Sequence, residues 1–150
     1  MPATFTSILN AVQSGIRGLT LDGINPDNVV IGKVPTDRKG LLPALPGILI
    51  TPYGNTTIIG GTNLRDDVSY SILIAMLQAG NTSQTENRDR ALQWSERIAR
   101  KFRKQRLEGV GEVYACRIVA DVKFDTTFLF TANIDVNVIQ LQFLNRESRG

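Results

Sequence analysis

The sequence has 150 residues, of which 42% are hydrophobic and 21% are charged. This length and composition favour one globular domain spanning residues 1–150 and argue against a mainly disordered chain. Seventeen basic and fourteen acidic residues leave a net charge of +3, which by itself does not indicate nucleic-acid binding.

The residue inventory argues against the common kinds of active site. Histidine is absent, which removes the commonest general base and metal ligand. Cys116 is the only cysteine, so an internal disulfide and a cysteine-based zinc site are excluded. We find no phosphate-binding loop motif, signal peptide or membrane-spanning stretch. We therefore expect a soluble intracellular protein that is not an enzyme and has no catalytic residues, metal or cofactor.

The first third of the chain predicts a helix followed by a strand and a loop. Apolar residues from Phe5 to Ile16 recur at spacings of three and four, which is typical of a helix that packs on a sheet. The β-branched stretch 28–34 predicts a strand. Three prolines and a charged run make 35–46 a long loop.

The next segment predicts paired strands and a second long loop. The stretch 47–53 is followed by Gly54-Asn55, a turn signal, so we expect a hairpin with 56–59. Polar and glycine residues indicate a loop at 54–67, interrupted by that short strand. The alternating stretch 68–77 predicts the main strand, and from Leu73 onward both of its faces are apolar.

The second half predicts one long helix and more strands. A basic, amphipathic stretch indicates a helix at 87–106. Alternation predicts strands at 110–125 and 133–145, and a one-residue change of apolar phase in the latter suggests a β-bulge. The tail 146–150 is polar, and we expect it to be frayed. The order of elements predicts an α+β fold: a mostly antiparallel sheet with an N-terminal helix and one long helix packed on it.

Eight of the seventeen basic residues lie between positions 88 and 106. One interpretation is a solvated helix face, because acidic residues near the start and basic residues near the end match the helix dipole. The other is a surface for DNA or an acidic partner, because no acidic residue lies between 100 and 106. The candidate residues for that surface are Arg97, Arg100, Lys101, Arg103, Lys104 and Arg106.

Three segments of the sequence resemble the tail terminator, or tail completion, proteins of long-tailed bacteriophages and the related neck proteins. They are the strand 67–74, which is entered from a Gly/Asn/Asp loop, the helix 88–106, and the last strand 134–143, which runs into 146–149. The leading helix and the strands before Tyr70 stand in the order of that family. The similarity therefore covers nearly the whole chain as architecture.

The resemblance implies a virion protein, assembled in the host cytoplasm, that forms a homohexameric ring at the head-proximal end of the tail. Such a ring ends polymerisation of the tail tube and provides the surface that joins the head. Its partners would be the tail tube protein, a head-completion protein of the connector, and DNA passing through the lumen. A ring needs two unlike patches on each subunit. Our candidates for these patches are Tyr53, Asn55, Asn63, Arg65, Asp66, Arg146 and Arg149.

Two alternatives stay open. One is another head–tail connector or neck component. The other is a nucleic-acid-binding module that uses the basic helix 88–106, whose affinity would fall steeply with salt.

Overall fold

A computed structural model describes residues 4–32, 46–53, 57–61, 65–79, 84–103, 113–119 and 134–148. Its helices are α1 (Thr4–Gly18) and α2 (Gln84–Phe102), with a short 3-10 turn at Pro26–Asn28. The strands are β1 (Val29–Ile31), β2 (Gly47–Pro52), β3 (Thr57–Gly61), β4 (Arg65–Ala79), β5 (Val113–Val119) and β6 (Ile134–Ser148).

The strands form one six-stranded sheet in the order β1-β2-β4-β6-β5, and β3 also pairs with β4. The β1–β2 pair is parallel, and the other four pairs are antiparallel. The predicted α+β class, with an N-terminal helix and a mostly antiparallel sheet, is confirmed.

The centre of the sheet is an unbroken ladder between β4 and β6. It runs from Arg65 opposite Ser148 to Ala79 opposite Ile134 without a register shift. The bulge predicted in the last strand is therefore wrong. Instead, the apolar residues move from one face of the strand to the other along its length. Ile134 packs in one apolar cluster and Phe143 in the cluster on the opposite face. Register shifts occur elsewhere, in β3 after Ile58 and in β5 after Val113.

The predicted hairpin is also wrong. Strands β2 and β3 do not form a ladder with each other; both pair with the same edge of β4, β2 opposite 72–77 and β3 opposite 66–69. The segment 54–67 is accordingly not one loop, since it contains β3 and the first residues of β4. Long-range pairing supplied these residues with backbone partners and overrode their weak intrinsic preference for strand.

Several boundaries differ from the prediction. Helix α2 begins three residues earlier than expected and ends at Phe102, where the amide of Arg103 still donates to the carbonyl of Ala99. Strand β6 continues to Ser148, because β4 extends far enough to pair with it, so 146–148 is not a frayed tail. Strand β1 is shorter than the stretch 28–34. Most of the loop 35–46, and the segments 104–112 and 120–133, lie outside the described residues.

The main core lies between the sheet and the two helices. The apolar stripe of α1 and that of α2, with Trp94 and Ile98 fully buried, join one cluster with the inner faces of β2, β4 and β6. Two edge-to-face ring contacts fix the helices on the sheet: Phe5 with Tyr70 at 5.2 Å, and Phe102 with Phe143 at 6.1 Å between ring centroids. Such pairs each add about 0.5–1.5 kcal/mol beyond the area they bury.

The opposite face of the sheet carries a second apolar cluster. Leu49, Ala75 and Val138 lie side by side across β2, β4 and β6, and Leu77 and Ile134 extend the cluster along the ladder. A strand buried on both faces reads as a continuous apolar run, which is what the sequence of β4 shows from Leu73 onward.

Candidate functional site

The structure gives four of the predicted basic residues an exposed position on the last turns of α2. These are Arg97, Arg100, Lys101 and Arg103, which we call the basic ridge. Lys104 and Arg106 lie outside the described residues. Residues 98 and 102 are fully or almost fully buried, so the helix turns its apolar side to the sheet. Lys101 and Arg103 are two residues apart and therefore lie on opposite sides of that buried stripe.

Two members of the basic ridge lie along α1. The Arg97 guanidinium donates a hydrogen bond from Nη2 to the Leu19 carbonyl oxygen at 2.6 Å, just past the end of α1. One turn further along α2, Cε of Lys101 is 3.7 Å from the position that a Cβ on Gly15 would take. Gly15 and Leu19 are four residues apart, so both basic side chains follow the same flank of α1.

The other two members differ in their partners. Arg100 forms an ion pair with Glu96 one turn earlier, and both side chains are mostly exposed. Such exposed pairs contribute little to stability, typically about 0.3–0.5 kcal/mol. Within the described part of the chain, Arg103 and Lys101 form no ion pair. The ridge therefore keeps a net positive charge, with Glu96 as the acid that faces it on α2.

Helix α1 exposes a polar surface without acidic residues. Its exposed residues Thr6, Asn10 and Ser14 are spaced by four and share one face; we call them the polar ridge. Arg17 is the one charged residue of α1, and its Nη2 donates to the Val29 carbonyl at 3.0 Å. The sequence predicts α1 only as a core helix, although it also shows that the polar face of α1 carries no acidic residue.

The predicted interface residues fall into two places. The amide of Tyr53 donates to the Ser71 carbonyl at 2.9 Å, which places this half-buried residue halfway along β4. Arg65, Asp66 and Arg146 come together at one end of the β4–β6 ladder, where Asp66 is opposite Glu147 and Asp67 is opposite Arg146. The remaining candidates, Asn55, Asn63 and Arg149, lie outside the described residues.

This charged strand end and the basic ridge lie at the same end of the molecule. Phe102, the last residue of α2, contacts Phe143, which is opposite Tyr70 in the ladder. Arg146 follows Phe143 by three residues, or about 10 Å of extended strand. The two predicted surfaces are thus neighbours, although they were inferred from distant parts of the sequence.

The far face of the sheet carries a polar patch beside its apolar cluster. Gln142 donates from Nε2 to the hydroxyl of Ser69 at 2.8 Å, and the exposed Arg117 lies opposite Gln142 on β5. Arg117 alternates with Cys116 and Ile118, which join the core under the helices, so it projects from the other face. The patch holds one cation far from the basic ridge.

The described residues offer little reactive chemistry. They contain no group of three His, Cys, Asp or Glu side chains that could hold a metal ion. Burial raises the pKa of the Cys116 thiol from 9.0 to about 12, opposed by a backbone hydrogen bond from Gln142. The thiolate is the nucleophilic form, so this cysteine is inert at neutral pH.

Comparison with known proteins gives no family. No protein-family model matches the chain, and no curated protein matches it. None of the helices in the described part of the chain has the length and apolar character needed to span a bilayer.

Proposed function

We propose that this chain is a structural protein of a long-tailed bacteriophage, a tail terminator that forms a ring at the head-proximal end of the tail. The observation that carries the proposal is the order and packing of the elements. A leading helix and a second helix cover one face of a mostly antiparallel sheet, and the second helix directly follows the first strand of its central ladder. This is the arrangement implied by the resemblance in the sequence.

The proposed action is surface complementarity without a reaction. A ring joins one patch of each subunit to a different patch of the next. Among the described strands, the sheet ends on the short β1 at one side and on the seven-residue β5 at the other, and β3 pairs only with β4. At β1, the Val29 carbonyl accepts hydrogen bonds from Gln13 Nε2 at 2.9 Å and from Arg17 Nη2 at 3.0 Å. This carbonyl is therefore not left to pair with a strand of a neighbouring subunit.

The charged end of the β4–β6 ladder is the proposed contact between subunits or with the tail tube. Acidic and basic positions lie within a few residues of one another there, with Asp67 opposite Arg146 and Asp66 opposite Glu147. Interspersed charges of both signs specify register and exclude wrong partners more than they add affinity. Tyr53, Asn55, Asn63, Arg65 and Arg149 are further proposed contacts, with the tail tube protein below and a head-completion protein above.

The first test is the native mass over a concentration series, with negative-stain images of the same samples. We expect closed rings of about six subunits, as the resemblance implies. Exchanging Arg146 for Glu should lower the ring fraction without lowering the melting temperature. Arg88→Glu is the matched control, because Arg88 is exposed at the opposite end of α2. A chain that stays monomeric at high concentration and does not cap purified tail tubes would contradict the proposal.

A further inference from the structure

A shallow depression lies where α1 ends and the chain turns into the edge strand β1. It has a volume of about 160 Å³. Its floor consists of four buried apolar side chains, those of Ile16, Leu21, Ile24 and Val29. Pockets for small molecules usually measure about 300–1,000 Å³, so the size of this depression suits a single side chain of a partner protein.

The polar side chains at the rim of the depression are engaged within the chain. Arg17 donates from Nη2 to the Val29 carbonyl at 3.0 Å, and the Thr20 hydroxyl donates to the Leu19 carbonyl at 2.8 Å. Thr20 has a φ of 48°, which a β-branched residue adopts only where the surrounding structure imposes it. The depression thus offers an apolar floor inside a fixed rim, and it favours an apolar guest.

An exposed apolar side chain lies on the other side of the helical layer. Within the described ranges, Leu92 of α2 is the large apolar residue that is exposed, at 62%. Trp94, two residues later, donates from Nε1 to the Asp22 carbonyl at 3.0 Å, next to the lining residue Leu21. Two residues are about 200° apart around a helix, so Leu92 is turned away from the depression but lies at nearly the same level.

The charged residues around the two features match as well. Asp89 and Glu96 flank Leu92 on the helix surface, three residues before it and four after it. Both form exposed ion pairs on α2, a weak class of interaction that another cation can replace. Arg17 at the rim of the depression is such a cation, while the exposed Asp27 nearby is a partner for Arg88.

We propose that copies of this chain associate by seating Leu92 of one copy in the depression of the next, with Asp89 and Glu96 beside Arg17 of that next copy. Each copy can use both features at once, because they differ and lie on opposite sides. Contacts of this kind generate closed rings or open filaments. The inference deepens the proposed ring and rests on it only in that copies must associate.

The first test is sedimentation velocity over a concentration series. Leu92→Asp should raise the dissociation constant at least about tenfold, because it puts a charge in place of a leucine that the contact buries. Thr6→Asp is the matched control: it adds the same charge at an exposed position of α1, at the end far from the depression, and should leave association nearly unchanged.

The second test locates the contact by disulfide formation between copies. Leu92→Cys and Thr20→Cys proteins, carrying tags of different size, are mixed and mildly oxidised. We expect covalent dimers that contain one chain of each kind, whereas a mixture of Leu92→Cys with Thr6→Cys should give few. The native Cys116 is buried and should give no background.

The inference is overturned if the wild type stays monomeric at every concentration, if Leu92→Asp associates as tightly as the wild type, or if Thr6→Cys cross-links as readily as Thr20→Cys. Rings that persist in Leu92→Asp would overturn this contact alone and leave the proposed function standing. A monomeric chain that still caps purified tail tubes would separate the two in the same way.

Discussion

Arg97 on α2 donates a hydrogen bond to the carbonyl oxygen of Leu19, the residue after α1 ends, at 2.6 Å. The last carbonyl groups of a helix have no partner within the helix, and basic side chains from elsewhere can satisfy them. One of the residues predicted for a partner surface thus also fastens the two helices to each other.

Replacing Arg97 with Ala should therefore lower the free energy of unfolding by about 0.5–1.5 kcal/mol, the usual contribution of one hydrogen bond. Arg100→Ala is the matched control on the same helix. Its exposed pair with Glu96 predicts a change of about 0.5 kcal/mol or less. Urea denaturation measures both. Equal losses in the two variants would show that the bond to Leu19 contributes nothing of its own.

The contact between α1 and α2 also predicts that substitutions at two glycines of α1 have different effects on stability. A Cβ on Gly15 would lie 2.9 Å from Cζ of the buried Phe102, whereas a Cβ on Gly18 has no atom within 4 Å. Gly15→Val should destabilise the protein by about 1–3 kcal/mol through overpacking. Gly18→Ala should be neutral or slightly stabilising, because alanine favours helix over glycine. Thermal melts followed by circular dichroism compare the two variants. Similar melting temperatures would refute the close approach of Gly15 to Phe102.

The buried stripe of α2 makes a stronger prediction. Ile98 is fully buried, so Ile98→Asp places a charge in the core and should cost on the order of 4 kcal/mol or more, enough to abolish cooperative unfolding. Leu92→Asp on the exposed flank of the same helix should change stability by about 0.5 kcal/mol or less. A soluble Ile98→Asp protein that unfolds cooperatively would mean that the helix is rotated from the position described.

Cys116 predicts a loss of stability at high pH. Its thiol is protonated in the folded state up to about pH 12, while the same thiol in the unfolded chain ionises near pH 9.0. Between these values the unfolded state binds fewer protons, so the free energy of unfolding falls as the pH rises, by up to about 1.4 kcal/mol per pH unit. Well below pH 9 the thiol is protonated in both states, so it contributes no dependence of stability on pH.

The measurement for Cys116 is urea denaturation at pH 8 and pH 10.5, with Cys116→Ala as the reference for every other titrating group. The wild type should lose more stability than the variant between the two pH values. In addition, a thiol reagent at pH 8 should label the wild type only after unfolding. Parallel pH profiles for the two proteins would rule out this role for the thiol.

Patterns within single elements were sufficient to predict much of the fold. Both helices and the main strand followed from local periodicity, because the residues that each buries recur along its own stretch of sequence. The relation of β2 to β3 did not follow, since Gly54-Asn55 is a local turn signal while the actual partner of both strands is β4. Pairing partners are set by tertiary packing, which a local signal does not contain.

The basic ridge could be predicted only in part, because the sequence shows which residues cluster along a helix but not what they contact. The clustering of bases on α2 is visible in the sequence, and four of them are exposed. The sequence could not show that Arg97 ends on a carbonyl of another segment. This contact depends on how α1 lies against α2, where Gly15 leaves room for the ring of Phe102.

The β4–β6 ladder has a consequence for the rate of folding. Its fifteen pairs join two strands that are separated by the whole segment 80–133, and β2 and β3 align only on a β4 that is already extended. The chain must therefore close a long loop before most of its sheet can form, and proteins with such non-local pairing fold in milliseconds to seconds. During that interval the apolar faces of β4 are uncovered, so aggregation competes with folding at high concentration.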